Sequence, residues 1–121
     1  MVFASNGPIS AGITHGLGDA GVTILNAGDY KVTFIVSGVE PNQFGLAVNG
    51  TAIASTIYGS GAGTQQTSGQ AIITLAASDV LTLRNHSSAA AVTLQTLAGG
   101  TQANANASLV VEKLKDAPVI P

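Results

Sequence analysis

One stretch near the first quarter of the chain, residues 28–38 with the sequence GDYKVTFIVSG, constrains the fold more than any other. Tyr30, Val32, Phe34 and Val36 recur at every second position and alternate with Lys31, Thr33, Ile35 and Ser37, which is the period of a pleated strand. A helix would not gather those four large side chains on one face, and Val, Thr, Phe, Ile and Tyr all suit a half-buried pleated surface. The stretch is therefore expected to be a central strand. Ile35 stands on the face that should be polar, either as a scattered surface hydrophobe or because that face also meets protein.

The rest of the chain reads as further short strands. Residues 1–26 are rich in Gly and short polar residues, with short strands expected at 2–4 and 22–25 and Phe3 plugging one end of the core. Residues 26–29 form the turn into the central strand. Phe44, Leu46 and Val48 alternate with Gly45 and Ala47, and Asn49-Gly50 separates them from a second run at 51–57. Asn-Gly between two such runs signals a hairpin, because a type I′ turn needs positive φ at both central positions.

Residues 58–69, YGSGAGTQQTSG, offer almost nothing to bury and read as a surface loop, flexible or folded against a partner. Strands are expected at 71–75 and 79–84, with Leu81 and Leu83 on one side and Val80, Thr82 and Arg84 on the other. A loop at 85–90, a strand at 92–97, the Gly99-Gly100 break and a last strand at 108–114 complete the domain. Residues 115–121 trail off as a tail containing two prolines. About nine or ten short strands and no helix make an all-β, antiparallel sandwich or barrel.

Composition limits what such a domain can do. The 121 residues fit one domain with one core, built from Val, Ile, Leu and Ala because aromatics are only 4% and Trp is absent. Charged residues are 8%, against about 25% in a typical soluble domain. The surface is thus either solvated by Ser, Thr, Asn, Gln and Gly or covered by neighbouring subunits. Four basic residues and a net charge of −2 argue against nucleic acid and against a polybasic membrane contact. The apolar run at 71–77 stops far short of the ~20 residues that span a bilayer. Without cysteine there is no disulfide framework and no thiolate chemistry.

No catalytic constellation stands out, and the chain is read as a non-enzyme without cofactor or metal. His15 and His86 are too far apart in sequence for the clustered His ligands of a cupin-type metal site. Ser and Thr residues with His86 and Asp79 make a triad only on paper, since no G-x-S-x-G elbow is present. Gly59, Gly61 and Gly63 lack the Lys of a phosphate loop. Asp29 and Asp79 precede strands, where Asp caps turns, rather than pairing for glycoside hydrolysis. The triplets beginning at Asn49, Asn85 and Asn106 match the N-glycosylation pattern, but Asn49-Gly50 is better explained by its turn.

The order of pieces, G-D-Y-K-V-T-F, then F-G-L-A-V-N-G, G-Q-A-I-I-T-L, D-V-L-T-L-R-N and S-L-V-V-E-K-L, resembles a known family over roughly residues 22–114. This is the C-terminal domain of the collagen-like glycoproteins on the exosporium, the outer spore layer of bacilli. That family is similar in fold to tumour necrosis factor and the complement-type globular heads. The resemblance implies a jelly-roll sandwich of about ten strands that forms a homotrimer at the end of a collagen-like stalk, in the hair-like nap of the spore surface beside other spore-surface proteins. No Gly-X-Y repeat precedes the domain here, so a stalk is either removed or absent.

A trimer would cover the second face of one sheet and so account for Ile35 and for apolar residues on both faces of the last strand. There Leu109 and Val111 point one way and Val110 and Leu114 the other. A strand buried between two layers of a monomer would give the same run. Thr33, Ile35, Val110 and Leu114 are the expected interface residues. The competing expectation is a carbohydrate- or receptor-binding module in spore adhesion, acting through a ligand loop of Tyr58, Gln65, Gln66, Asn85 and His86. Amides and hydroxyls there suit sugar hydrogen bonds, with Tyr58 as the sole aromatic platform.

Overall fold

The computed structural model describes residues 1–62, 65–89 and 91–118. Among them the chain forms nine strands: β1 Ile13–Thr14, β2 Val22–Ile24, β3 Gly28–Ser37, β4 Asn42–Val48, β5 Thr51–Ala52, β6 Tyr58–Ser60, β7 Gln66–Leu75, β8 Val80–Asn85 and β9 Ala107–Asp116. A single 3-10 turn, Ala54–Thr56, interrupts them. Every ladder is antiparallel. One sheet has the order β7-β3-β9, and the other the order β1-β2-β8-β4-β5 with β6 also on β4. The result is an antiparallel sandwich, one of the two forms that the strand pattern allowed, and it is consistent with the jelly roll that the family resemblance implied.

Alternation explains how the layers meet. Tyr30, Val32, Phe34 and Val36 of β3 are wholly buried and face Ile24, Phe44, Leu46, Leu81 and Leu83 of the other sheet. Each such side chain removed from water contributes about 1.5–3 kcal/mol, so the core rests on this alternation and not on aromatic bulk. The Tyr30 hydroxyl, buried with its ring, donates to the Asn26 carbonyl at 2.5 Å.

Local chemistry sets the strand ends. Asn49 and Gly50 have φ of 52° and 84°, the type I′ turn expected from their sequence. The return strand is shorter than the expected run at 51–57. After Ala52 the chain enters the 3-10 turn, and the Thr56 hydroxyl replaces a ladder partner by accepting the Leu46 N–H at 2.9 Å. The same hydroxyl donates to the Ile53 carbonyl at 2.7 Å. The chain rejoins β4 as β6, so β5, turn and β6 run in sequence along one edge of β4.

Five further expectations are corrected. The segment 58–69 is not a loop throughout: it holds β6 and the first part of β7, whose Gln66 to Gly69 pair residue by residue with Ser37 to Phe34. Gly63 and Thr64 lie outside the described residues. The expected strand at 92–97 reduces to one bridge, Gly38 with Leu94. It lies beside β3 only where β9 stops, through Gln95 N–H to the Ser37 carbonyl and Val39 N–H to the Thr93 carbonyl.

The expected strand at 2–4 is absent as well. Among the described residues the Phe3 backbone bonds only to Gly18 and Asp19, although its ring still packs on the core. Finally, the turn expected at 26–29 is shorter, because Gly28 and Asp29 already belong to β3. The last strand runs on to Asp116, so the expected tail begins later; its residues 119–121 lie outside the described ones.

Candidate interaction surface

The three-stranded sheet has one face in the core and one face in solvent, and the outward face is where polar alternation fails. Its rows follow from the register. Ser68, Ile35 and Ser108 form one row, Gln70, Thr33 and Val110 the next, then Ile72, Lys31 and Glu112. Beyond them a bulge in β9 precedes the pairing of Lys115 with Asp29, and Leu114 projects there. Four large apolar side chains stand open on this face: Ile35 at 38%, Leu114 at 48%, Val110 at 58% and Ile72 at 69% exposure.

The structure therefore brings together three of the four expected interface residues closely. Thr33 lies opposite Val110, and Ile35 is the next outward residue along β3. Leu114 is on the same face but at its far end, beyond Glu112. Ile72 was not expected. The signal for it was present, because Ile72-Ile73 is the same double-sided apolar pair within a strand as Val110-Val111.

Charge is arranged around this patch. Asp29, Lys31, Glu112 and Lys115 occupy the outward rows at the end where β3 begins, and the Lys113 ammonium pairs with Asp116. Donating a hydrogen bond to the Asp116 carboxylate raises the Lys113 pKa. Thr74 donates to Asp29 at 2.7 Å. The rows of Ile35 and Thr33 contain no ionisable side chain, so an uncharged centre with apolar and hydroxyl groups is bordered on one side by charges. Protein interfaces share this distribution, with charge depleted at the core of the contact and polar residues at its rim.

The five residues of the expected ligand loop gather at one end of the sandwich, but each has a polar side-chain atom engaged internally. Tyr58 and Asn85 flank Phe44 in one row. The Tyr58 ring stands edge-on to Phe34 at 6.0 Å and 73°, and its hydroxyl donates to the Gln70 carbonyl at 3.1 Å. Gln65 accepts from Ser60 at 3.2 Å, and Gln66 donates to Ser37 at 3.3 Å. Asn85 accepts from Ser88, and His86 Nδ1 meets the Ser87 hydroxyl at 2.8 Å. Beside the exposed edge of Tyr58 is a shallow hollow of about 390 Å3, lined by Thr33, Ser68, Gly69 and Gln70.

The carboxylates and histidines are dispersed. Among the described residues no three of His, Asp and Glu come together as a metal site would require. No helix among them is long and apolar enough to cross a membrane. Asp79 caps the turn before β8: it accepts the Ala76 N–H at 2.8 Å and the Asn49 amide at 2.9 Å. These two bonds hold its carboxyl below the ordinary carboxylate range, the Ala76 bond contributing most.

Comparison with known families agrees with the strand order. A profile of the BclA C-terminal domain matches residues 2–115. The chain belongs to this family. It is the C-terminal domain of the collagen-like exosporium protein of Bacillus, which places the chain among the surface proteins of the spore. The family domain is a structural head attached to a collagen-like region. Its match takes in the N-terminal segment as well as residues 22–114, where the sequence pieces had pointed. No curated protein matches the chain.

Proposed function

We propose that the chain is a single, non-enzymatic jelly-roll domain, tumour necrosis factor-like in its assembly, that forms a homotrimer and caps a collagen-like stalk. Three heads held together bring three stalk strands to a high effective concentration and set their register, so that the triple helix zips from this end. The observation that carries the reading is the outward face of β7, β3 and β9. Ile35, Ile72, Val110 and Leu114 are exposed there in strands whose other face packs on the core. A chain with 8% charged residues has little else to keep such a face solvated.

Ile35→Asp tests the assignment. A carboxylate at the uncharged centre of a contact is strongly unfavourable, so the variant is expected to run as single chains in light scattering while keeping the β-sheet circular dichroism of the wild type. A variant whose mass equals that of an assembled wild type would remove this face from the interface.

A second reading has one observation in its favour, the hollow beside Tyr58 with hydroxyls of Thr33 and Ser68 and the amide of Gln70. That set suits a carbohydrate held for spore adhesion, with the Tyr58 ring edge as its apolar wall. Thr33 serves both readings, so a sugar in the hollow and a neighbouring subunit would compete for the same surface.

A further inference from the structure

Two Asn residues in this chain are followed by Gly, Asn6-Gly7 and Asn49-Gly50. Asn-Gly is the dipeptide most prone to spontaneous deamidation, because Gly leaves the following backbone nitrogen free to approach the Asn side chain. That nitrogen attacks Cγ, ammonia leaves, and a five-membered succinimide closes. Solvent water then opens the ring at either carbonyl to give isoaspartate or aspartate. The net change is one water taken up and one ammonia released. Asn6, Gly7, Asn49 and Gly50 are all exposed, so neither dipeptide is shielded by burial.

Both side chains are nevertheless held at both of their polar atoms. Asn49 donates through Nδ2 to the Asp79 carboxylate at 2.9 Å and accepts the Val80 N–H on Oδ1 at 2.9 Å. Its own backbone N–H is bound to the Val80 carbonyl at 2.9 Å. Asn6 donates through Nδ2 to the His15 carbonyl at 2.8 Å, and its Oδ1 faces His15 Nδ1 at 2.5 Å. His15 is itself fixed, with Nε2 2.8 Å from the Asp19 carbonyl and its ring edge-on to Phe3. In each case the amide must turn out of two hydrogen bonds before Cγ can meet the next backbone nitrogen.

We propose that Asn49-Gly50 and Asn6-Gly7 are deamidation sites held latent by these two clasps, with Asp79 and His15 as the positioning residues that keep each amide out of reach. The clasps matter because the product is disruptive. At position 49 isoaspartate inserts an extra atom into the backbone of a two-residue turn. Aspartate puts a carboxylate where the amide now donates to Asp79, replacing a hydrogen bond with repulsion between like charges, and isoaspartate loses that amide into the backbone and leaves a free α-carboxylate in the turn.

The test is peptide mapping by mass spectrometry, with isoaspartate separated from aspartate, after prolonged incubation at neutral pH. Folded wild type is compared with wild type in denaturant. Two hydrogen bonds of ordinary net worth leave the freed amide a minor species, so both sites are expected to react about tenfold or more slowly in the folded protein. Asp79→Ala should then speed the reaction at Asn49 alone, and His15→Ala at Asn6 alone, each site serving as the folding control for the other. Equal rates in folded and denatured wild type would overturn the proposal, independently of any variant. Equal acceleration of both sites by one substitution would also overturn it, since that is general unfolding and not release of a clasp.

Discussion

At the scale of single residues, the side chains that shape this molecule are small and polar, and they act by closing turns. Asp79 is the fullest case, since one carboxylate ties the turn before β8 to the tip of the β4–β5 hairpin. Its folded pKa lies below the ordinary value of 3.8. The stability that it contributes is therefore fully present above that value and is lost as pH falls through the lower, folded pKa. Asp79→Asn is expected to melt below the wild type at neutral pH, with the gap shrinking as the pH drops under the ordinary carboxylate range. Thermal melts across that range read it, and a gap independent of pH would show that the carboxylate charge contributes nothing.

At the scale of elements, β7 shows what neighbouring strands add to local sequence. Gly69 lies in β7 opposite Phe34, and a Cβ there would stand 2.3 Å from Tyr58 Cδ1 and 2.5 Å from Phe34 Cζ. The glycine makes room for the two rings to meet over the strand. Gly69→Ala is expected to cost about 1–3 kcal/mol of unfolding free energy, the usual range for overpacking, measurable as a lower denaturant midpoint. An unchanged midpoint would mean that the aromatic contact yields freely.

The same strand marks the limit of what could be read in advance. Central β3, the Asn-Gly hairpin, β8 and β9 were legible because period-two alternation and positive-φ turn chemistry are local properties. Gln66 to Gly69 have no such alternation of large apolar residues, and their strand conformation comes from pairing with β3, which is not encoded locally. Val92 to Leu97 erred in the opposite direction, with a good local pattern but only the short end of β3 beside it. On the candidate surface, Ile35, Val110 and Leu114 were legible because they break alternation in an otherwise regular strand. The contact of Tyr58 with Phe34 was not legible, because it joins two sheets far apart in sequence.

At the scale of the whole molecule, the two layers share one core while the outer face of the smaller sheet is left open. Its exposed apolar residues come from all three strands, and the charges on β3 and β9 collect at one end of that face. An assembly that covers this face accounts at once for the low charge of the chain, the double-sided runs in β7 and β9, and the place of the family at the end of a collagen-like region. The most direct measurement is the absolute mass of the wild type by light scattering during size exclusion, over a wide range of concentrations. The account predicts a mass of three chains that holds on dilution. A single-chain mass at every concentration would contradict it.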